Sequence, residues 1–134
     1  MQFPKSSTIA VTDGSKLRLF TNVGDELHLQ LEELPPPKLP AHHQGAGRQH
    51  HSGAGNNTER QLEEDSYAAS VAKLLNQQVL AGEIGQLYVV APPRTLGELR
   101  KHYHPVLQVR LLGELGKEHT HDTPEVLHAA LIKA

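Results

Sequence analysis

The chain has 134 residues, a formal charge of −2, two Phe, three Tyr and neither Trp nor Cys. This is the size of one domain, with a core to be built from Leu, Val, Ile and Ala. The absence of Cys excludes a disulfide framework, a thiolate zinc site and a cysteine nucleophile, and so small a charge leaves polyanion contact to a local patch. The opening MQFPKSSTIAV holds no apolar core of the secretory kind, and no stretch approaches the ~18–20 apolar residues that span a bilayer. A cytoplasmic protein without a membrane partner is expected.

Thr8–Thr12 alternates with Ile9 and Val11 on one face and is followed by Asp13-Gly14, the dipeptide of a type I′ hairpin turn. Leu17 and Leu19 alternate with Lys16, Arg18 and Phe20. After Asn22-Val23-Gly24-Asp25, Leu27, Leu29 and Leu31 alternate with His28, Gln30 and Glu32. The pattern predicts a three-strand antiparallel meander with one apolar and one largely polar face. Pro35-Pro36-Pro37 ends it, because proline cannot donate to a ladder.

Residues 38–58 are rich in Gly, His, Gln and Asn and read as a flexible loop of roughly twenty residues, beyond the ~12–15 at which loops become functional or disordered. Ala68, Val71, Ala72, Leu75 and Val79 then mark a long helix, with Gly82 placed for a left-handed cap. Leu87–Ala91 is a continuous apolar run, the pattern of a strand buried on both faces. Pro92-Pro93 stops that strand, and a short helix is expected over Thr95–Lys101 with Thr95 as its cap. Pro105–Val109 gives another helical turn and Arg110–Leu115 a strand. Thr123-Pro124-Glu125 opens the last helix with a side-chain cap, a first-turn proline and an acid facing the helix dipole. The fold class is therefore α/β: a single domain over 1–134, in the order β-β-β-α-β-α-β-α around a mixed sheet of about five strands.

Ten histidines include His42-His43, His50-His51, His102-x-His104 and His119-x-His121. H-x-H pairs can ligate zinc or copper, but no H-E-x-x-H spacing accompanies them, and no metal or other cofactor is expected. A magnesium-dependent nuclease would need acids converging at strand ends. Asp13 ends the first strand, whereas Glu32, Glu33 and Asp122 have no spacing that brings them to it, so Asp13 reads as a turn residue. The segment GAGRQHHSGAG lacks the G-K-[ST] of a phosphate loop and reads as a linker with anion-binding glycines. Arg94, Lys101, Arg110 and Lys117 could form a basic rim at the carboxyl ends of the later strands, where open α/β sheets bind ligands.

The stretch VVAPPRTLGELR, the H-P-x-L of His104 to Leu107 and the segment GKEHTHDTPEVLHAAL, with VTDGSKLRLF at the start, resemble the bacterial host attachment protein family. That family is similar in layout to the RNase H-like middle domain of archaeal and eukaryotic release factors, where a meander, a long loop and a long helix follow one another. The resemblance implies a non-enzymatic binding protein needed for attachment to host cells, acting indirectly through a protein partner that the sequence does not name. Its alternative is a release-factor-like module that engages ribosome or tRNA through the 38–58 loop. The release factors' catalytic Gly-Gly-Gln is replaced here by Gly45-Ala46-Gly47-Arg48-Gln49, so no catalytic residues and no peptidyl-tRNA hydrolysis are expected. Binding is expected at Asp13, Arg94, Lys117, Thr120 and His121, with Gly45, Gly47, Arg48, Gln49, His50 and His51 as loop contacts. An RNase H-like nuclease is the third reading.

Overall fold

A computed structural model describes residues 2–40 and 56–134. Three strands come first, β1 (Thr8–Thr12), β2 (Leu17–Asn22) and β3 (Leu31–Glu33), followed by helix α1 (Asn56–Leu80). Then come β4 (Leu87–Val90), α2 (Pro93–Arg100), α3 (Pro105–Arg110), β5 (Leu111–Leu115) and α4 (Pro124–Lys133). The sheet runs β3-β2-β1-β4-β5. β2 is antiparallel to β1 and β3, whereas β4 is parallel to β1 and β5, which makes the mixed five-strand sheet that the sequence predicts.

The meander has no polar face along β1, the central strand of the five-stranded sheet. Every residue of β1 is buried. Its side chains alternate between two cores: Ala10 joins Leu17, Leu19 and the α1 residues Val71, Ala72 and Leu75. Ile9 and Val11 join Phe20, Tyr88, Val90 and the α4 residues Leu127 and Leu131. The helix that covers the second face arrives more than a hundred residues after β1, so a local reading of the meander has no access to it. The run at β4 is buried on both faces, as its continuous apolar character requires.

Two turns differ from expectation because side chains take over the backbone's hydrogen bonds. Thr12 pairs with Leu17, so residues 13–16 form the connection and no two-residue type I′ turn exists. Asp13 Oδ1 accepts from the backbone N–H groups of Ser15 and Lys16, both at 2.8 Å, which closes the longer turn. Gly14 is needed for close approach: a Cβ there would lie 2.5 Å from Glu64 Cγ on α1. Farther on, Asn22 Oδ1 accepts from Gly24 and Gln30, and Asp25 Oδ1 from Leu27 and His28. These bonds hold residues 24–30 in a turn, so β3 starts only at Leu31 and Leu27 is 75% exposed.

The helices follow their signals closely. Gly82 has φ +81 and ends α1 in the left-handed conformation. Thr123 caps α4 by accepting from the Val126 N–H. α2 starts earlier than Thr95, because Pro93 occupies the first helical position that its fixed φ favours, leaving Pro92 extended at φ −58, ψ 154 and Thr95 within the first turn. α3 is capped by a ring: His104 Nδ1 accepts from the Val106 N–H at 3.0 Å.

Asn76 on α1 fastens the α2–α3 connection, donating to the His102 carbonyl at 2.8 Å and accepting from the His104 N–H at 2.9 Å. Asn76→Ala leaves both part-buried backbone groups without that partner and should cost about 1–3 kcal/mol in urea unfolding. Asn76→Asp, which keeps the acceptor and loses the donor, should cost less; equal stability of all three proteins would show that the bridge does not contribute.

Candidate functional site

β1, β3, β4 and β5 all run in one direction, so their carboxyl ends lie along one edge of the sheet. The 13–16 turn, the start of α2 and residues 116–123 gather there. So does the first half of α1: Glu64 abuts Gly14, and Arg94 Nη2 lies 3.6 Å from Asp65 Oδ2. With its amide oxygen turned toward α2, Gln61 also accepts from the Arg94 guanidinium. β3 ends and α1 begins on this rim, so the chain leaves it and returns to it on either side of residues 41–55.

Arg18 organises the rim. Its side chain is 12% exposed and uses the whole guanidinium fork. Nε and Nη2 donate to the two Glu33 carboxylate oxygens at 3.0 and 2.7 Å. Nη1 donates to the carbonyls of Thr120 at 3.2 Å and Asp122 at 2.6 Å. The group also stacks 5.0 Å from the Phe20 ring centroid. The hydrogen bond to Glu33 raises the Arg18 pKa, and the same bond holds the Glu33 carboxyl below its ordinary value.

The 116–123 segment is braced from within as well. Glu118 Oε1 accepts from the Thr120 N–H at 2.6 Å, and His119 Nδ1 lies 2.5 Å from Asp122 Oδ2. Thr120 is wholly buried. His121 points elsewhere, with Nε2 3.8 Å from Asp13 Oδ2. Asp13 thus uses one oxygen to build its turn and presents the other to His121. The Tyr67 hydroxyl is pushed up by burial and then by the Asp13 charge, which places α1 against the same turn.

Of the residues singled out from sequence, Asp13, Thr120 and His121 come together, and Arg94 and Lys117 share their edge of the sheet. The loop residues Gly45, Gly47, Arg48, Gln49, His50 and His51 lie outside the described residues. The four-member basic rim is not formed. Arg110 directly precedes β5 and so sits at the opposite edge, and Lys101, beyond the far end of α2, pairs with Glu98 at 3.1 Å. The H-x-H pairs separate too, because each ring finds its own local partner. His102 faces Glu98 and His104 caps α3, while His119 and His121 take different aspartates. Asp122 is engaged by His119 and Glu33 by Arg18, so neither converges on Asp13 as a nuclease site would require.

Sequence reasoning passed over Arg18 and the His119–Asp122 pair. The i, i+3 spacing of His119 and Asp122 was a usable signal. Nothing local marks Arg18, whose carbonyl partners are 102 and 104 residues away.

A family model described as bacterial archaeo-eukaryotic release factor family 12 matches residues 6–131, from just before β1 into α4. No curated protein matches the chain. The match supports the release-factor side of the resemblance, and nothing found supports the host-attachment name.

Proposed function

The chain belongs to bacterial archaeo-eukaryotic release factor family 12, and from that membership we propose that it is a non-hydrolytic module that binds ribosomal or transfer RNA. The surface proposed is the rim with residues 41–55. One observation carries the reading: β3 and α1, which flank those residues, meet the edge that bears Arg94 and the segment after β5 with Lys117. Arg94 and Lys117 at such an edge supply the local patch that a chain of net charge −2 needs to hold phosphates, and the 41–55 sequence carries one further arginine, Arg48. Arg94 remains 57% exposed beyond its contacts with Asp65 and Gln61, so it can reach a partner without leaving α1. The sequence contains no Gly-Gly-Gln, which argues for docking without peptidyl-tRNA hydrolysis. The module would then work in the cytoplasm beside ribosomes, and an effect on attachment to host cells would be indirect, through translation.

Cosedimentation with ribosomes across a salt series tests this. Binding should weaken steadily with salt, and Arg94→Gln and Lys117→Ala should each lower the logarithmic salt slope by about one. Binding that is independent of salt, or unaltered in both variants, would remove the rim from the interface.

A further inference from the structure

A groove of about 370 Å³ opens on the rim, within the ~300–1,000 Å³ that small-molecule sites occupy. Three elements line it: Lys16 comes from the entry to β2, Pro36, Pro37 and Leu39 from the chain beyond β3, and Tyr67 from α1. Arg94 and Lys117, which carry the RNA contact proposed above, are not in its lining.

Each contribution is held in place by its own surroundings. The Lys16 N–H donates to Asp13 Oδ1 and its carbonyl accepts from Thr12 Oγ1, both at 2.8 Å, so the backbone is fixed while the residue stays exposed. The prolines have φ fixed by their rings and bring no N–H with which an extended peptide could pair. A flat ring needs no such donor. Tyr67 and Leu39 are partly buried against the core that α1 shares with the sheet, which seats them and leaves part of their surface free. Arg18 and Glu33 also line the groove, but the two bonds between them compensate their charges. The ammonium of Lys16 therefore favours an anion beside a surface made of an aromatic ring and two prolines. A nucleotide joins both features in one ligand, a base that stacks on aromatic side chains and a phosphate that meets a cation.

We propose that this groove takes one unpaired nucleotide of RNA, with its base against Tyr67 and the prolines and its phosphate at Lys16. The proposal rests on the RNA-binding reading above for the source of the nucleotide. It adds to that reading a contact with a base, which phosphate contacts at Arg94 and Lys117 do not provide. Because stacking tolerates any base, the groove would favour single-stranded over paired RNA without selecting a sequence.

The test is an NMR titration of the whole chain, following the Tyr67 ring and Leu39 methyl signals, with adenosine 5′-monophosphate, adenosine and ribose 5-phosphate. The mononucleotide should shift both sets of signals and bind about tenfold or more tighter than either of its parts. Lys16→Ala, at an exposed position, should bring the mononucleotide down to the level of adenosine. Tyr67→Leu should weaken the mononucleotide and adenosine alike, about tenfold; if that variant does not fold, the ligand series and Lys16→Ala decide alone. No shift with the mononucleotide at about 10 mM would overturn the proposal. Equal binding of ribose 5-phosphate and the mononucleotide would overturn it too, since no base would then be held, and so would a Lys16→Ala protein that binds the mononucleotide as the wild type does. Ribosome cosedimentation separates the two readings. Mononucleotide binding without ribosome binding would keep the groove as a nucleotide site and remove the RNA-binding reading, whereas salt-sensitive ribosome binding without a mononucleotide shift would keep that reading and remove the groove.

Discussion

Arg18→Ala should lower the stability of the domain by about 3–5 kcal/mol, the usual consequence of removing one partner from a largely buried, hydrogen-bonded ion pair. The physical reason is what the guanidinium leaves behind. The carbonyls of Thr120 and Asp122 lose the donor that joins residues 116–123 to β2, while Glu33 loses the cation that faces it. Glu33 is 40% exposed and can recover water, so the loss should fall toward the lower end of that range. Arg18→Lys keeps the charge but cannot fill a fork with four acceptor contacts, so an intermediate loss is expected. Hydrogen exchange adds a local readout, since amides of 116–123 should open in the alanine variant before the core does.

The same pair predicts an acid dependence. Glu33 has its folded pKa lowered, first by the hydrogen bond from Arg18, from an ordinary value of 4.5. Its contribution is therefore complete above that ordinary value and is lost as pH falls through the lower folded one. Urea midpoints measured below pH 4.5 should drop for the wild type, and Glu33→Gln should flatten that part of the profile.

Leu127→Ala should cost about 3–5 kcal/mol, as large-to-small changes at fully buried leucines do. α4 is a ten-residue helix, too short to persist in water on its own, and its two buried residues are Leu127 and Leu131. Both enter the core beneath Ile9, Val11, Phe20, Tyr88 and Val90. Polar support is slight: His128 Nε2 meets the Leu29 carbonyl at 2.8 Å. Truncating Leu127 therefore removes half of the helix's apolar anchorage and opens a cavity over the central strands. The control is Val126→Ala one residue earlier, where the side chain is half exposed and a change within about 0.5 kcal/mol is expected. Similar losses for the two variants in guanidinium unfolding would mean that α4 is not held by its buried face.

Much of this architecture can be read locally because the residues that cause it are close in sequence. Val71, Leu75 and Val79 mark the buried face of α1, and Gly82 can take the positive φ that ends it. Leu87–Val90 needs cover on both faces, which suits β4 to its place inside the sheet between β1 and β5. Thr123, Pro124 and Glu125 state where α4 starts. Misreadings arose where a side chain outbid the pattern. The alternation from Leu27 to Leu31 is that of a strand, yet Asn22 and Asp25 capture the amides that a ladder would have used. Thr95 is a good cap, yet Pro93 starts the helix before it.

The site was legible only in part, for a different reason. Its position at the carboxyl ends of the parallel strands follows from topology, and Asp13, Thr120 and His121 were named from sequence. The residue that ties Thr120 and Asp122 to the strands, Arg18, looks like any solvent-facing strand arginine until β2, β3 and residues 116–123 are placed together. The histidine pairs mislead in the opposite sense, since spacing alone does not show that neighbouring rings turn toward different carboxylates.

The function proposed above has residues 41–55 act with the rim in binding RNA. Replacing 41–55 by a short Gly-Ser linker tests it most directly, with the thermal midpoint measured beside binding so that a loss of fold is told apart from a loss of contact. The account predicts that the shortened protein no longer pellets with ribosomes at low salt while the intact chain does. Ribosome binding that survives the replacement undiminished would contradict it.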